Sequence, residues 1–291
     1  MCTDRLLMAT KESIESANIH VTGTCNYHCG FCFAKNFEHR IMAPEEWRPY
    51  LTQLKEKGIT KINVVGGEPL LYPRLIELCA LVNSMGFTVS VTTNGSMIDR
   101  KVAEDMKGVV DWIGLSLDSV DEDVERSVGR HTGDIKHIDN VIKVADLAHE
   151  YGIKVKLNIT VIRQSVRQNF TELIKRVDPE RVKVLQVLRI DGENEENYGE
   201  YSISRRQWKR FVRRHKDIVL RNNVKIVFEG GKDMIDSYLI LDPLGRIVRD
   251  TGNRRSLNDF SIIATDGLSA VVDADKYAKR GGLYDWGPAH E

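Results

Sequence analysis

The sequence predicts an α/β fold: a partial (β/α)6 TIM-like barrel, open at one side, with a C-terminal extension covering the barrel mouth. Three observations carry that reading. Short apolar strands alternate with amphipathic helical stretches, which implies parallel strands joined by right-handed crossovers. Six such units occur, where a full barrel has eight. The strands also share a repeatedly polar face, whereas fully covered parallel strands read as continuous apolar runs.

Strands are expected at 18–22, 61–65, 87–93, 111–117, 153–161 and 181–190, and helices at 44–57, 73–85, 99–107, 134–151, 166–176 and 204–218. Successive strand side chains point to opposite faces. In 18–22, Asn18, His20 and Thr22 alternate with Ile19 and Val21; in 153–161, Lys154, Lys156 and Asn158 alternate with Val155, Leu157 and Ile159. In 111–117, Gly114 and Ser116 alternate with Ile113 and Leu115; in 181–190, Arg181 and Lys183 alternate with Val182 and Val184. The apolar parity is expected against helices and the polar parity in a lumen, which is then a binding site. An antiparallel sheet with one face in solvent is the competing reading, and the intervening helices argue against it.

After about 224 the rhythm stops. Gly230-Gly231, a short strand at 238–241 and the glycine-rich KRGGLYDWG follow. The expected division is an N-terminal arm at 1–17, the barrel at 18–223, and an extension at 224–291 that closes the site.

With 42 basic and 42 acidic residues among 291, the formal net charge is zero. That argues against general binding of a nucleic-acid polymer, which needs a basic field. No apolar run reaches the roughly 18 residues of a membrane span, and the first residues lack a secretory signal. Of five cysteines, Cys25, Cys29 and Cys32 crowd together, while Cys2 and Cys79 stand apart. This is metal-site spacing in a reducing, cytoplasmic setting rather than a disulfide framework.

The crowded cysteines lie in TGTCNYHCGFCFAK, directly after the first strand, where a barrel's functional mouth begins. Three thiolates at these spacings can wrap one loop around a 4Fe–4S cubane and leave one iron without a protein ligand. Zinc is the alternative and would take a fourth ligand, with His20 or His28 in reach. At the end of the second strand stands Gly66-Gly67-Glu68-Pro69. The glycines permit close approach of a ligand to the backbone, and Glu68 can accept from an ammonium.

The C-x3-C-x2-C motif, with Phe31 before the last cysteine, is identified as the signature of the radical S-adenosylmethionine (SAM) superfamily. That resemblance implies a radical SAM type of partial barrel and a 4Fe–4S cluster on Cys25, Cys29 and Cys32. It implies SAM bound by the free iron, with Phe31, Gly66, Gly67, Glu68, Ser116 and Asn158 at cofactor-binding positions. The absence of cysteines after Cys79 disfavours members with auxiliary clusters.

Longer stretches resemble the viperin family: NIHVTGTCNYHCGFCF, KINVVGGEP, TTNGS, VGRHTG, KVKLNITVI, RVKVLQVLRIDGEN, DSYLILD and KRGGLYDW. They run from Asn18 to Trp286. Viperins convert a nucleoside triphosphate to its 3′-deoxy-3′,4′-didehydro analogue, a terminator of viral RNA chains. A 5′-deoxyadenosyl radical takes the ribose 4′-hydrogen and water is lost. The vertebrate membrane-binding helix is not found, so a microbial viperin-like monomer is expected. It would need an electron donor such as flavodoxin or ferredoxin.

The residues point to the same substrate. A triphosphate carries about four negative charges and calls for several cations. Lys61, Lys156, Arg181 and Lys183 lie on polar strand faces, and the loop VGRHTG adds Arg130. Each matches a family position that holds the triphosphate. Asn18 and Tyr238 match positions near the ribose, and Tyr238 is the expected catalytic side chain. The segment 244–262 diverges from vertebrate viperins, which leaves the base open with CTP or UTP favoured. A single-cluster radical SAM enzyme acting on a peptide or cofactor precursor, and a noncatalytic iron–sulfur sensor, are the alternatives.

Overall fold

In the computed structural model, residues 14–221, 224 and 226–282 are described. Ten strands form one sheet: β1 (Ser16–His20), β2 (Lys61–Val65), β3 (Thr88–Thr93), β4 (Trp112–Ser116), β5 (Lys154–Val161), β6 (Arg181–Gln186), β7 (Ile226–Glu229), β8 (Leu239–Leu241), β9 (Ile247–Thr251) and β10 (Arg254–Asn258). Their order is β10-β9-β8-β1-β2-β3-β4-β5-β6-β7. The eight strands from β8 to β7 are parallel, and β9 and β10 add an antiparallel hairpin beside β8. In the sheet β7 lies at one end beside β6 and β10 at the other beside β9, so the barrel is open; an isolated bridge joins Arg254 of β10 to Asp191 in the loop after β6.

The helices are α1 (Pro44–Glu56), α2 (Leu75–Ser84), α3 (Arg100–Met106), α4 (Glu122–Ser127), α5 (His137–Glu150), α6 (Thr171–Val177), α7 (Tyr198–Tyr201), α8 (Arg205–His215), α9 (Gly231–Met234), α10 (Ser261–Asp266) and α11 (Ala274–Lys279). Local chemistry explains where several begin. Pro44 starts α1 with Glu45 and Glu46 in its first turn, a residue order suited to the unpaired amides and positive end of a helix. Asp99 caps α3 by accepting from Val102 N at 2.9 Å. In α1, Trp47, Leu51 and Leu54 are buried, and in α5 so are Ile138, Val141, Val144, Ala145 and Ala148. These spacings place one helical stripe against the sheet.

The strand faces divide as the alternation requires. Val155, Leu157, Ile159 and Val161 of β5 are fully buried against helices, while Lys156, Asn158 and Thr160 face an internal cavity. In register, Gly114 of β4 stands beside Lys156, which stands beside Arg181 of β6. One layer nearer the mouth, Ser116, Asn158 and Lys183 form the next row.

The strand expected at 181–190 stops at Gln186. Beyond it, Asn194 accepts from Ile190 N and donates to the carbonyls of Leu188 and Phe31, each at 2.9 Å. A side chain thus replaces a ladder partner and turns the chain into a loop. The residues after 224 enter the sheet at both edges: β7 extends it beyond β6, and β8 pairs with β1. KRGGLYDW lies within the described residues only as far as Gly282. Among the described residues no helix is long and apolar enough to cross a membrane.

Candidate active site

A cavity of about 310 Å³ fills the lumen. Asn18, Cys25, Cys29, Phe31, Cys32, Gly66, Gly67, Ser116, Arg130, Lys156, Asn158, Lys183 and Tyr238, all anticipated from the sequence, line it. Glu68, Lys61 and Arg181 stand behind that lining.

At the mouth, the loop after β1 carries the three cysteines. It is sewn to its neighbours by backbone bonds. Gly67 N donates to Thr22 O and Glu68 N to Thr24 O, both at 2.8 Å; His28 N donates to Gly129 O and Gly30 N to Val128 O, both at 3.0 Å. A Cβ on Gly67 would lie 2.3 Å from Thr24 O, and one on Gly129, at φ +82°, 2.3 Å from His28 O. The glycines therefore let two loops close onto the cysteine loop, besides lying along the cavity.

Tyr27 N and Ala34 N each donate to a cysteine sulfur, Cys25 Sγ and Cys32 Sγ, at 3.4 Å. Such bonds favour thiolates. Without a metal, burial pushes all three thiols up, Cys25 to about 11 and Cys29 to about 12; Cys32 adds to the rise of both, and Cys25 to that of Cys29. Sulfurs gathered in one such pocket become thiolates more readily beside a cationic guest. Among the described residues no three His, Cys, Asp or Glu side chains converge on a single ion. A cubane does not ask for that, because each thiolate takes a separate iron. His20 instead packs on Phe37 with ring centres 4.4 Å apart and is pushed down to about 3 by burial and Arg255, and His28 is on the surface.

Glu68 is fully buried. Its carboxylate accepts from Thr93 Oγ1 at 2.6 Å, Asn94 N at 2.8 Å and Leu70 N at 3.1 Å. It therefore binds the end of β3 to the turn after β2 and shapes the mouth from behind. Arg130 is also placed differently from the other anticipated cations. It is buried beside the cysteines, bonded to Asp118 through Nε, 3.8 Å from Glu125 and 5.8 Å from the Phe31 ring centre. Glu125 in turn accepts from the amides of Asp118 and Ser119 at 2.8 Å. Tyr27, which also lines the mouth, is 3.2 Å from His137 Nδ1, and His137 Nε2 is 2.9 Å from Ser116 O.

The floor is cationic. Lys183 Nζ lies 2.5 Å from Glu229 Oε1 and donates to Tyr238 Oη at 2.9 Å; Tyr238 donates to Glu229 Oε2 at 2.5 Å. Arg280 stacks 3.7 Å from the Tyr238 ring centre, lies 3.9 Å from Glu229, and donates to Ser237 O at 2.8 Å. Arg181 donates to Gly281 O at 2.6 Å. Lys61 sits 5.1 Å over the Trp112 ring. Burial, and then the crowd of like charges, pushes Lys61 well down; Lys156 falls to about 8 through burial and Arg181. Tyr238 is pushed well up by burial and Glu229, so it keeps its proton.

Glu229 and Arg280 were not singled out from the sequence. Arg280 belongs to KRGG, which drew notice for its glycines. Glu229 follows an apolar strand and resembles any strand-end acid. On the wall between mouth and floor, Asn63 donates to Asn18 Oδ1 at 2.8 Å and accepts from Thr92 Oγ1 at 3.0 Å. Asn18 is thereby oriented by a polar chain across three strands.

Comparison with known proteins follows this geometry. Residues 19–177 match the radical SAM superfamily. A protein of a Thermoplasmatales archaeon (strain ISO4-H5), named S-adenosylmethionine-dependent nucleotide dehydratase, is 45% identical over 271 residues, covering 93% of this chain and 96% of that protein. One from Oncorhynchus mykiss, named S-adenosylmethionine-dependent nucleotide dehydratase RSAD2, is 36% identical and covers 94% of this chain and 81% of its own length. Among solved structures, Streptococcus suis SuiB bound to S-adenosylmethionine has a TM-score of 0.65 at 19% identity, over 90% of this chain and 66% of that one. Native anSMEcpe with bound AdoMet and Kp18Cys peptide reaches 0.66 at 17% identity, over 91% and 82%. At those identities the structures speak for the fold.

Proposed function

This chain belongs to the radical SAM superfamily and, within it, to the S-adenosylmethionine-dependent nucleotide dehydratases; from that premise we propose that it dehydrates a ribonucleoside triphosphate, CTP or UTP, to the 3′-deoxy-3′,4′-didehydro nucleotide, an antiviral chain terminator. The observation that carries the substrate is the floor: Lys156, Lys183 and Arg280 gather at the carboxylate of Glu229, with Lys61 and Arg181 close to Lys156. Buried cations clustered in this way favour an anionic ligand. A triphosphate, with about four negative charges, compensates them.

Cys25, Cys29 and Cys32 hold the 4Fe–4S cluster. When bound and reduced, the cluster cleaves SAM and supplies a 5′-deoxyadenosyl radical. The mouth is suited to the cofactor's zwitterionic end: Arg130, Gly66, Gly67 and Asn94 line it, and Arg130 would hold the carboxylate there. This reading moves Arg130 from the triphosphate to SAM, because its charge partners are Asp118, Glu125 and Cys29 rather than the floor cations.

Phosphates at the floor leave the ribose in mid-lumen beside Asn18, Asn158 and Tyr238, so the cations govern reactivity by position. Once the ribose 4′-carbon has lost hydrogen, elimination needs one proton on the leaving 3′-hydroxyl and one electron to complete the double bond. Tyr238 Oη holds that proton, and Lys183 and Arg280 lie where they steady the oxygen as it gives it up. Residues 224–282 close the site from below through Glu229, Tyr238 and Arg280. The test is anaerobic incubation of reconstituted protein with SAM, dithionite and each of the four nucleoside triphosphates. A product lighter by one water, formed with 5′-deoxyadenosine, is expected with CTP or UTP; 5′-deoxyadenosine that no nucleotide stimulates would overturn the reading.

A further inference from the structure

Helix α8 carries a feature that the lumen does not use. From Ser204 to Lys216 the chain has seven Lys and Arg and no Asp or Glu. Phe211 and His215 are buried, while Arg205, Arg206, Lys209, Arg210 and Arg213 are exposed and line one shallow surface groove. Among the described residues none of these five is paired with an acid, whereas Arg74, Arg100 and Arg176 all have surface carboxylate partners.

Helix stability does not favour the arrangement. Arg205 and Lys209, Arg206 and Arg210, and Lys209 and Arg213 are like charges four residues apart, each pair destabilising by about 0.2–0.5 kcal/mol. Arg205 and Arg206 also sit at the positive end of the helix. Because the whole chain is neutral, the patch is local.

Its place in the fold gives it a use. The Tyr201 ring packs edge-on against Phe31, centres 5.5 Å apart. Its hydroxyl lies against Gly30, where a Cβ would come within 2.0 Å of the oxygen. Gly30 stands between Cys29 and Cys32. Helix α8 begins four residues after Tyr201, a stretch that spans at most about 14 Å. The basic face therefore starts on the flank of the cysteine loop.

We propose that the basic face of α8 is the docking surface for the enzyme's reductant, a small acidic one-electron carrier protein of the flavodoxin class. The inference rests on the radical SAM reading, in which the cluster must receive an electron. Charge complementarity selects an acidic partner and steers its approach. Adjacency to the cysteine loop selects an electron carrier over other polyanions. In the transfer an anionic flavin hydroquinone loses one electron and becomes the neutral semiquinone; the cluster gains that electron, and no proton moves.

The test uses reconstituted holoenzyme, a recombinant bacterial flavodoxin as probe, and two double variants: Arg206→Ala with Arg210→Ala, and Arg206→Glu with Arg210→Glu. Calorimetry at low and high salt reads binding. The alanine pair is expected to weaken flavodoxin binding about tenfold at low salt and the glutamate pair further, with the difference shrinking at high salt. Flavodoxin-driven 5′-deoxyadenosine formation falls in step, while dithionite-driven formation stays at the wild-type rate. Equal flavodoxin binding by wild type and both variants, or none by wild type, overturns the proposal. So does RNA or anionic-vesicle binding that the variants lose while keeping flavodoxin. Dithionite-driven cleavage absent from wild type would instead strike the radical SAM reading.

Discussion

At the mouth of the lumen Arg130 meets Asp118 and Glu125, whereas at the floor three cations, Lys156, Lys183 and Arg280, meet Glu229. Both regions are buried and both were expected to bind anions. They differ in the sign that predominates among these charged partners. The mouth sets one cation against two acids within a rich set of hydrogen bonds. The floor sets several cations against Glu229. Buried charge informs about a ligand through its partners more than through a count of cations.

The largest effect expected is at the mouth. Cys25→Ala, Cys29→Ala or Cys32→Ala should reduce 5′-deoxyadenosine formation to background, while Cys79→Ala should not, because Cys79 is buried in α2 away from the cavity. Retained cleavage in any of the three would remove the mouth from the comparison.

Arg130→Ala comes next. It strands Asp118 and Glu125 and should cost about 3–5 kcal/mol of stability, measured by denaturant unfolding. SAM affinity should fall more than nucleotide affinity; the reverse result would put Arg130 back with the triphosphate.

Lys183→Ala probes the floor. Loss of a charge-assisted contact should weaken nucleotide binding by roughly 1.5–3 kcal/mol. Calorimetry with SAM should show little change, and an equal loss would show that mouth and floor are one site.

The pH dependence follows from Lys156. Its free amine is pushed down to about 8 by burial and Arg181, with Arg280 adding to this and Glu229 opposing it. A bound phosphate favours the charged form, so binding takes up a proton once the pH exceeds about 8. Nucleotide affinity should then fall by up to about tenfold per pH unit. Titrations in buffers of different ionisation enthalpy between pH 7 and 9 read the proton directly, and constant affinity would show Lys156 charged throughout.

The smallest effect tests the wall. Asn63→Ala frees Asn18 from its 2.8 Å partner. Nucleotide binding should weaken by about 0.5–1.5 kcal/mol, and dithionite-driven SAM cleavage without nucleotide should not change.

Much of the site was legible because strand alternation is a local property. Asn18, Lys156, Asn158 and Lys183 each have the parity that faces the cavity, and the cysteine spacing pointed to a metal centre, which the resemblance to radical SAM enzymes specified. The resemblance to viperins added the nucleotide. The partner of Arg130 was not legible, because a cation in a loop carries no sign of it; Asp118 lies twelve residues away and meets it in the fold. Nor were the partners of Glu68, which is fully buried and accepts from three donors in two segments.

Six strands, their polar faces and the loop of crowded cysteines follow from the order of residues, because period and spacing act over a few neighbours; the reaction class came from the resemblance to viperins. The tertiary structure decided the remainder. It placed β7 and β8 on opposite sides of the six expected strands, because a three-residue strand such as β8 forms where β1 and β9 both offer it a partner. It also brought Glu229, Tyr238 and Arg280 to Lys183 from three separate segments. Which charged groups meet there depends on long-range packing, which neither periodicity nor motif encodes.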